Sequence, residues 1–128
     1  MGRIVTNVAI SNVSDPTASL KCDALVDTGA AYMILPTAWR SRLGGLEMTR
    51  SVELGLGNQT RVRGEVGGPV RIEIEGFPPI FNEVLFVDMA PSNGAYEPLL
   101  GYVILEQSQA AVDMVGHRLI HIKKVDLK

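Results

Sequence analysis

The chain has 128 residues and a single cysteine, Cys22, so no disulfide can close within it. A lone thiol suits a reducing compartment, and its plain reading is a small strand residue. No charge of one sign accumulates: 12 basic and 14 acidic side chains leave a net −2, which argues against a nucleic-acid partner. No apolar run approaches the ~20 residues needed to cross a bilayer, and the N-terminus lacks the apolar stretch of a signal peptide. These absences lead to the expectation of no membrane partner and a cytoplasmic location. Met1-Gly2 with Thr6 formally fits a myristoylation pattern, but Ile4, Val5, Val8 and Ile10 read as a first strand. Histidine is scarce. His117 and His121 stand four apart in a strand-like segment with no third ligand nearby, so no metal is expected. Gly55-Leu56-Gly57 has no third glycine and no helix after it, and is not a dinucleotide fingerprint. No cofactor is called for. There are no repeats and no low-complexity segment, and residues 1–128 read as one domain with a modest core.

What the chain does have is short strands. Arg3 to Ile10 and Ala18 to Val26 read as strands around a polar turn, Ser11 to Pro16. Tyr32 to Leu35 is a third. Pro36 opens a helix that Gly44 closes, with Trp39 and Leu43 on its buried face. Val52 to Leu56 and Thr60 to Val66 flank Gly57-Asn58-Gln59, whose Gly and Asn suit a hairpin turn. Val70 to Glu75 alternates strictly, apolar against charged, as a strand with one wet face does. Glu83 to Val87 is an apolar strand, Ala90 to Pro98 a loop, and Leu99-Leu100-Gly101 leads into a short apolar helix. Gln109 to Met114 and His117 to Ile122 close the sequence as a hairpin.

The stretch that organises the rest is Ala24-Leu25-Val26-Asp27-Thr28-Gly29-Ala30. Leu25 and Val26 are strand formers. Asp27 follows where burial should still be high, and an unpaired buried carboxylate costs several kcal/mol unless it is hydrogen-bonded. Thr28 supplies a hydroxyl, Gly29 lets backbone approach closely, and Ala30 and Ala31 leave room beside the acid. An Asp that merely starts a turn after a strand is the alternative.

Leu25-Val26-Asp27-Thr28-Gly29-Ala30 followed by Ile34-Leu35-Pro36 resembles the active-site segment of retropepsin-like aspartic proteases. Leu99-Leu100-Gly101 before a helix resembles the second signature of that family, and the hairpin around residues 57–59 its flap. An ordinary surface hairpin is the alternative for the last of these. The order of elements matches from Val5 to Ile122. The resemblance implies an all-β fold, a closed barrel-like monomer with one or two short helices and a flap hairpin. It implies an aspartic endopeptidase in which Asp27, Thr28 and Gly29 are catalytic. Ala30, Ala31, Tyr32, Leu56, Gly57 and Leu99 would line an apolar substrate cleft, and Thr28 would hydrogen-bond across a dimer axis.

One departure matters. Many retroviral members carry an Asp two residues after the motif glycine and an Arg directly after the second-signature glycine, and the two pair. Here those positions are Ala31 and Tyr102. Both partners are missing together, so no orphaned charge remains, but the substrate-backbone contact made by that Asp is lost.

Hydrolysis between carboxylates needs one ionised and one protonated acid around a shared water. Two carboxyls about 3 Å apart share a proton and titrate as a pair. The chain holds one Asp-Thr-Gly, and neither Asp88 nor Asp113 is followed by Thr/Ser-Gly. The second acid is therefore expected from another copy of Asp27, in a twofold dimer. The partners expected are itself and a peptide or protein substrate. From another class comes the rival reading: a module of the same fold that holds an extended peptide by strand addition, or mediates assembly, without cutting.

Overall fold

The computed structural model describes residues 3–55 and 61–124. Leu56, Gly57 and the turn at residues 57–59 lie outside the described residues, as do the ends of the chain. Strand β1 (Val5–Asn12) and strand β2 (Ser19–Val26) form an antiparallel pair from Val5↔Leu25 to Ser11↔Ser19. Along β2 every second side chain turns inward, burying Leu20, Cys22 and Ala24 while Ser19, Lys21 and Asp23 stay wet. Strand β1 continues two residues past the expected end at Ile10. Buried Asn12 holds it there, donating from Nδ2 to the carbonyls of Leu43 (2.8 Å) and Gly45 (3.0 Å) and accepting the Ser14 N–H at 2.9 Å. A buried amide with three partners is a satisfied one.

Strand β3 (Met33–Pro36) runs into a 3-10 helix, Thr37–Leu43, closed by Gly44 at φ 65°. The helix expected after Pro36 is present, but its winding changes the face. At three residues per turn, positions four apart diverge by about 120°. Leu43 is therefore fully buried while Trp39 is only half-buried, edge-on to Tyr96 and under the Arg42 guanidinium.

Strand β4 (Met48–Gly55) pairs antiparallel with strand β5 (Arg61–Ile74), from Met48↔Gly68 to Gly55↔Arg61. The two strands expected at 60–66 and 70–75 are one 14-residue strand. A register shift between Gly67 and Val70 absorbs the interruption. Pro69 has no N–H to give a ladder, and a bulge is where a strand tolerates that. Strand β6 (Ile80–Val87), strand β7 (Leu99–Leu100), helix α1 (Tyr102–Gln107) and the hairpin of β8 (Ala110–Asp113) and β9 (Arg118–His121) complete the chain.

The main sheet runs β1-β2-β7-β3-β6-β5-β4, and a further pairing of β1 with β5 closes it on itself. Among the described residues, closure removes the free edges of all strands of this sheet but β4, which pairs with β5 alone. The interior is apolar, with Phe86, Met33, Leu35, Ile72, Leu100 and Ile104 almost wholly excluded from water. Each such side chain stabilises the fold by about 1.5–3 kcal/mol of transfer free energy. The molecule is mostly β, as expected. No helix among the described residues is long and apolar enough to cross a membrane.

Candidate functional site

Asp27 leaves the end of β2 at the point where β7 stops. Two-residue β7 lies between β2, to which it is parallel (Leu25↔Leu99, Val26↔Leu100), and β3, to which it is antiparallel (Met33↔Leu100, Ile34↔Leu99). The Asp27 loop thus straddles a strand that arrives seventy residues later in the chain. The Asp27 N–H donates to the Leu100 carbonyl at 3.0 Å, continuing the β2–β7 ladder by one residue.

Gly101 explains why the second signature ends as it does. A Cβ there would sit 2.3 Å from the Tyr32 carbonyl oxygen and 2.6 Å from that of Ala30. Only glycine admits the Asp27 loop at this distance. The loop in turn satisfies the start of α1: the Tyr102 N–H donates to Ala30 O at 2.7 Å and the Val103 N–H to Ala31 O at 3.1 Å. Those are among the N–H groups that a helix cannot satisfy itself.

Within the loop the Asp27 carboxylate accepts the Gly29 N–H at 2.9 Å, and the Ala30 N–H donates to the Asp27 carbonyl at 3.1 Å. This fixes the carboxylate orientation through one oxygen and leaves Oδ2 without a hydrogen bond among the described residues. Asp27 is half-buried, and Thr28 and Gly29 are exposed. No ion pair reaches Asp27 among the described residues. The arrangement offers solvent an oriented carboxylate beside a hydroxyl, on a loop whose backbone is held from both sides.

The other candidate residues divide. Ala30, Ala31 and Tyr32 follow directly, all half-buried, and Leu99 stands half-buried on β7 between Leu25 and Ile34. Leu56 and Gly57 fall outside the described residues. Tyr102 is exposed at the start of α1. A cavity of about 260 Å³ lies against Ala31, Tyr32, Asn82, Glu83, Val103 and Ile104. No group of three or more His, Cys, Asp or Glu among the described residues could hold a metal ion.

Two residues at this site had no signal in the sequence. Arg50 on β4 makes a two-pronged ion pair with Glu83 on β6, Nη1 to Oε2 at 2.7 Å and Nη2 to Oε1 at 3.1 Å. Its Nη2 also lies 3.5 Å from the Tyr32 hydroxyl. The hydrogen bonds to Glu83, and then its charge, hold the Arg50 guanidinium above its ordinary range. Arg50 and Glu83 are 33 residues apart, and the sheet order β6-β5-β4 brings them together. Cys22 lies buried on β2, where loss of water, reinforced by the Asp23 charge, pushes its thiol up to about 12. That is an inert structural cysteine.

No protein-family model matches the sequence, and no curated protein matches it. Solved structures do. The EIAV protease complexed with the inhibitor HBY-793 is 27% identical, with a TM-score of 0.58 over 83% of this chain and 88% of that one. The retroviral protease-like domain of Ddi1 from Leishmania major is 19% identical, with a TM-score of 0.55 over 94% of this chain and 90% of that one. With its closed sheet, its Asp-Thr-Gly loop straddling β7, and its likeness to these two structures, the chain has a retropepsin-like fold.

Proposed function

We propose that residues 1–128 form one aspartic endopeptidase domain that works as a homodimer, with Asp27 of each copy facing the other across a twofold axis. The observation that carries this reading is the oriented, solvent-reachable Asp27 carboxylate, pinned by the Gly29 N–H at 2.9 Å on a loop locked to β7 and α1. The similarity to the EIAV protease supports it. One ionised Asp27 takes a proton from water, the water oxygen attacks the peptide carbonyl carbon, and the protonated Asp27 of the other copy donates to the carbonyl oxygen. The resulting diol collapses as the newly protonated Asp27 gives its proton to the leaving nitrogen, the C–N bond breaks, and the other carboxylate takes a proton from a diol hydroxyl, which restores one ionised and one protonated acid. Thr28 hydrogen-bonds across the axis and keeps the two loops in register. Ala30, Ala31, Tyr32 and Leu99 line the cleft, and strands β4 and β5 belong to a flap over it. Small and apolar groups there favour hydrophobic side chains at the scissile bond.

The second reading is a peptide-holding module without activity. The absence of the Asp/Arg pair, with Ala31 and Tyr102 in its place, is the observation in its favour, since fold alone does not fix chemistry. Asp27→Asn separates the two. Asn keeps the shape and the acceptor for the Gly29 N–H, but cannot pass a proton to or from water. With a fluorogenic peptide library, the wild type is expected to cleave and the variant to lose all activity at an unchanged melting temperature. A variant that cleaves at the wild-type rate removes Asp27 from the mechanism. A wild type that binds peptides without cutting them establishes the module.

A further inference from the structure

Arg50 ties strand β4 to strand β6 and to the segment that follows the Asp-Thr-Gly loop. Among the described residues strand β4 pairs with β5 alone, yet Arg50 reaches from it to Glu83 on β6 and to the hydroxyl of Tyr32. Tyr32 belongs to the peptide-binding segment proposed above and also walls the cavity of about 260 Å³, together with Ala31, Asn82, Glu83, Val103 and Ile104. The cavity floor is apolar: Ile104 is fully buried and Val103 half-buried. Its polar rim is already engaged. Asn82 donates to Gln107 and accepts the Glu83 N–H at 2.6 Å, and Glu83 is held by Arg50. An occupant therefore finds an apolar floor, a neutralised rim and one hydroxyl whose oxygen faces Arg50, leaving its proton free to donate. A second ion pair, Arg40 to Glu65, also touches the hairpin, but its Nε and Oε1 lie 2.7 Å apart without hydrogen-bond alignment. Neither residue lines the cavity beside Tyr32.

We infer that Arg50 and Glu83 are positioning residues for peptide recognition: their two-pronged pair fixes Tyr32 and strand β4, so that the cavity takes one medium-sized apolar side chain of an extended peptide while the Tyr32 hydroxyl donates to a peptide carbonyl. This rests on the peptide-cleft reading of the preceding section. It also supplies the anchoring that Ala31 and Tyr102 lack, through residues distant in sequence. A planar guanidinium suits the task because its fork meets both carboxylate oxygens at once. The pair is half-exposed on the arginine side, so its effect is modest, of the size of other solvent-screened pairs.

The experiment uses the full chain and fluorogenic octapeptides carrying leucine, alanine, glutamate or lysine at each position in turn. Arg50→Gln and Glu83→Gln are each expected to raise KM about two- to fivefold with kcat within about twofold. The loss should be confined to peptides with leucine at one particular position. Arg50→Glu combined with Glu83→Arg is expected to recover most of the lost affinity, which a residue needed only for folding would not do. Equal losses on all peptides, a loss in kcat alone, or no recovery in the charge swap overturns the inference. Should the wild type cleave none of the peptides, the endopeptidase reading fails separately. Fluorescence polarisation of the same peptides then decides: a selective two- to fivefold weakening in the single variants supports the inference, and unchanged or absent binding overturns it.

Discussion

Asp27 and Gly101 show two ways in which one side chain, or the lack of one, fixes local structure. The acid is pre-oriented by a backbone N–H two residues on, so its geometry comes from the loop and not from a charged partner. Gly101 matters for what it omits. Adding a methyl group would drive Cβ to 2.3 Å from the Tyr32 carbonyl oxygen, with the Ala30 carbonyl on the same side. Backbone cannot yield there as a flexible side chain could. Gly101→Ala is therefore expected to destabilise the fold by about 3 kcal/mol, read as a fall in Tm of roughly ten degrees. An unchanged melting curve would mean that the β7–α1 junction does not press on the Asp27 loop.

Among elements, the β8–β9 hairpin stands apart from the main sheet and depends on a single acid for its turn. Asp113 accepts the N–H groups of Gly116 (2.9 Å) and Val115 (3.1 Å) and pairs with Arg118 at 3.1 Å. The Gly116 hydrogen bond first, then Arg118, then Val115, hold its carboxyl below the ordinary 3.8. A carboxyl whose folded pKa is depressed adds stability at pH above its unfolded value. That stability is lost as pH falls through the folded value. The hairpin turn should thus loosen only below about pH 4, and modestly, because the carboxyl is partly open to solvent and its Arg118 partner is exposed. Amide exchange at Val115 and Gly116, corrected for intrinsic rates, should accelerate in that window in the wild type and show no such step in Asp113→Asn. A step that persists in the variant would assign the acid sensitivity elsewhere.

On the scale of the whole molecule, the proposed mechanism needs two carboxylates, and each chain carries one Asp-Thr-Gly loop. Self-association is the expected consequence, with a light-scattering mass near twice 13.8 kDa at high micromolar concentration. A monomer mass with peptidase activity intact would rule out the two-copy mechanism. Asp27→Asn should leave the dimer as stable or more so, since two like charges on the axis repel when both ionise.

The sequence by itself determined the strands, because their signal is local. In Val70 to Glu75 alternation alone assigns the buried face, and in Leu25-Val26-Asp27-Thr28-Gly29 an apolar pair ending in an acid and a glycine marks the turn at the centre of the candidate site. Winding and continuity were less legible. Trp39 reads as core under a 3.6-residue turn and is half-buried under a 3-10 one. Strand β5 runs on through Gly67-Gly68-Pro69 because its paired neighbours β6 and β1 carry it across the bulge, and nothing in those three residues says so. Only the tertiary structure decided which distant pieces meet: β7 between β2 and β3, Gly101 against the Tyr32 carbonyl, Arg50 on Glu83. The physical reason is the same in each case. Periodicity and turn chemistry act over a few residues, whereas sheet closure and ion pairing are settled by the packing of elements that the chain alone does not order in space.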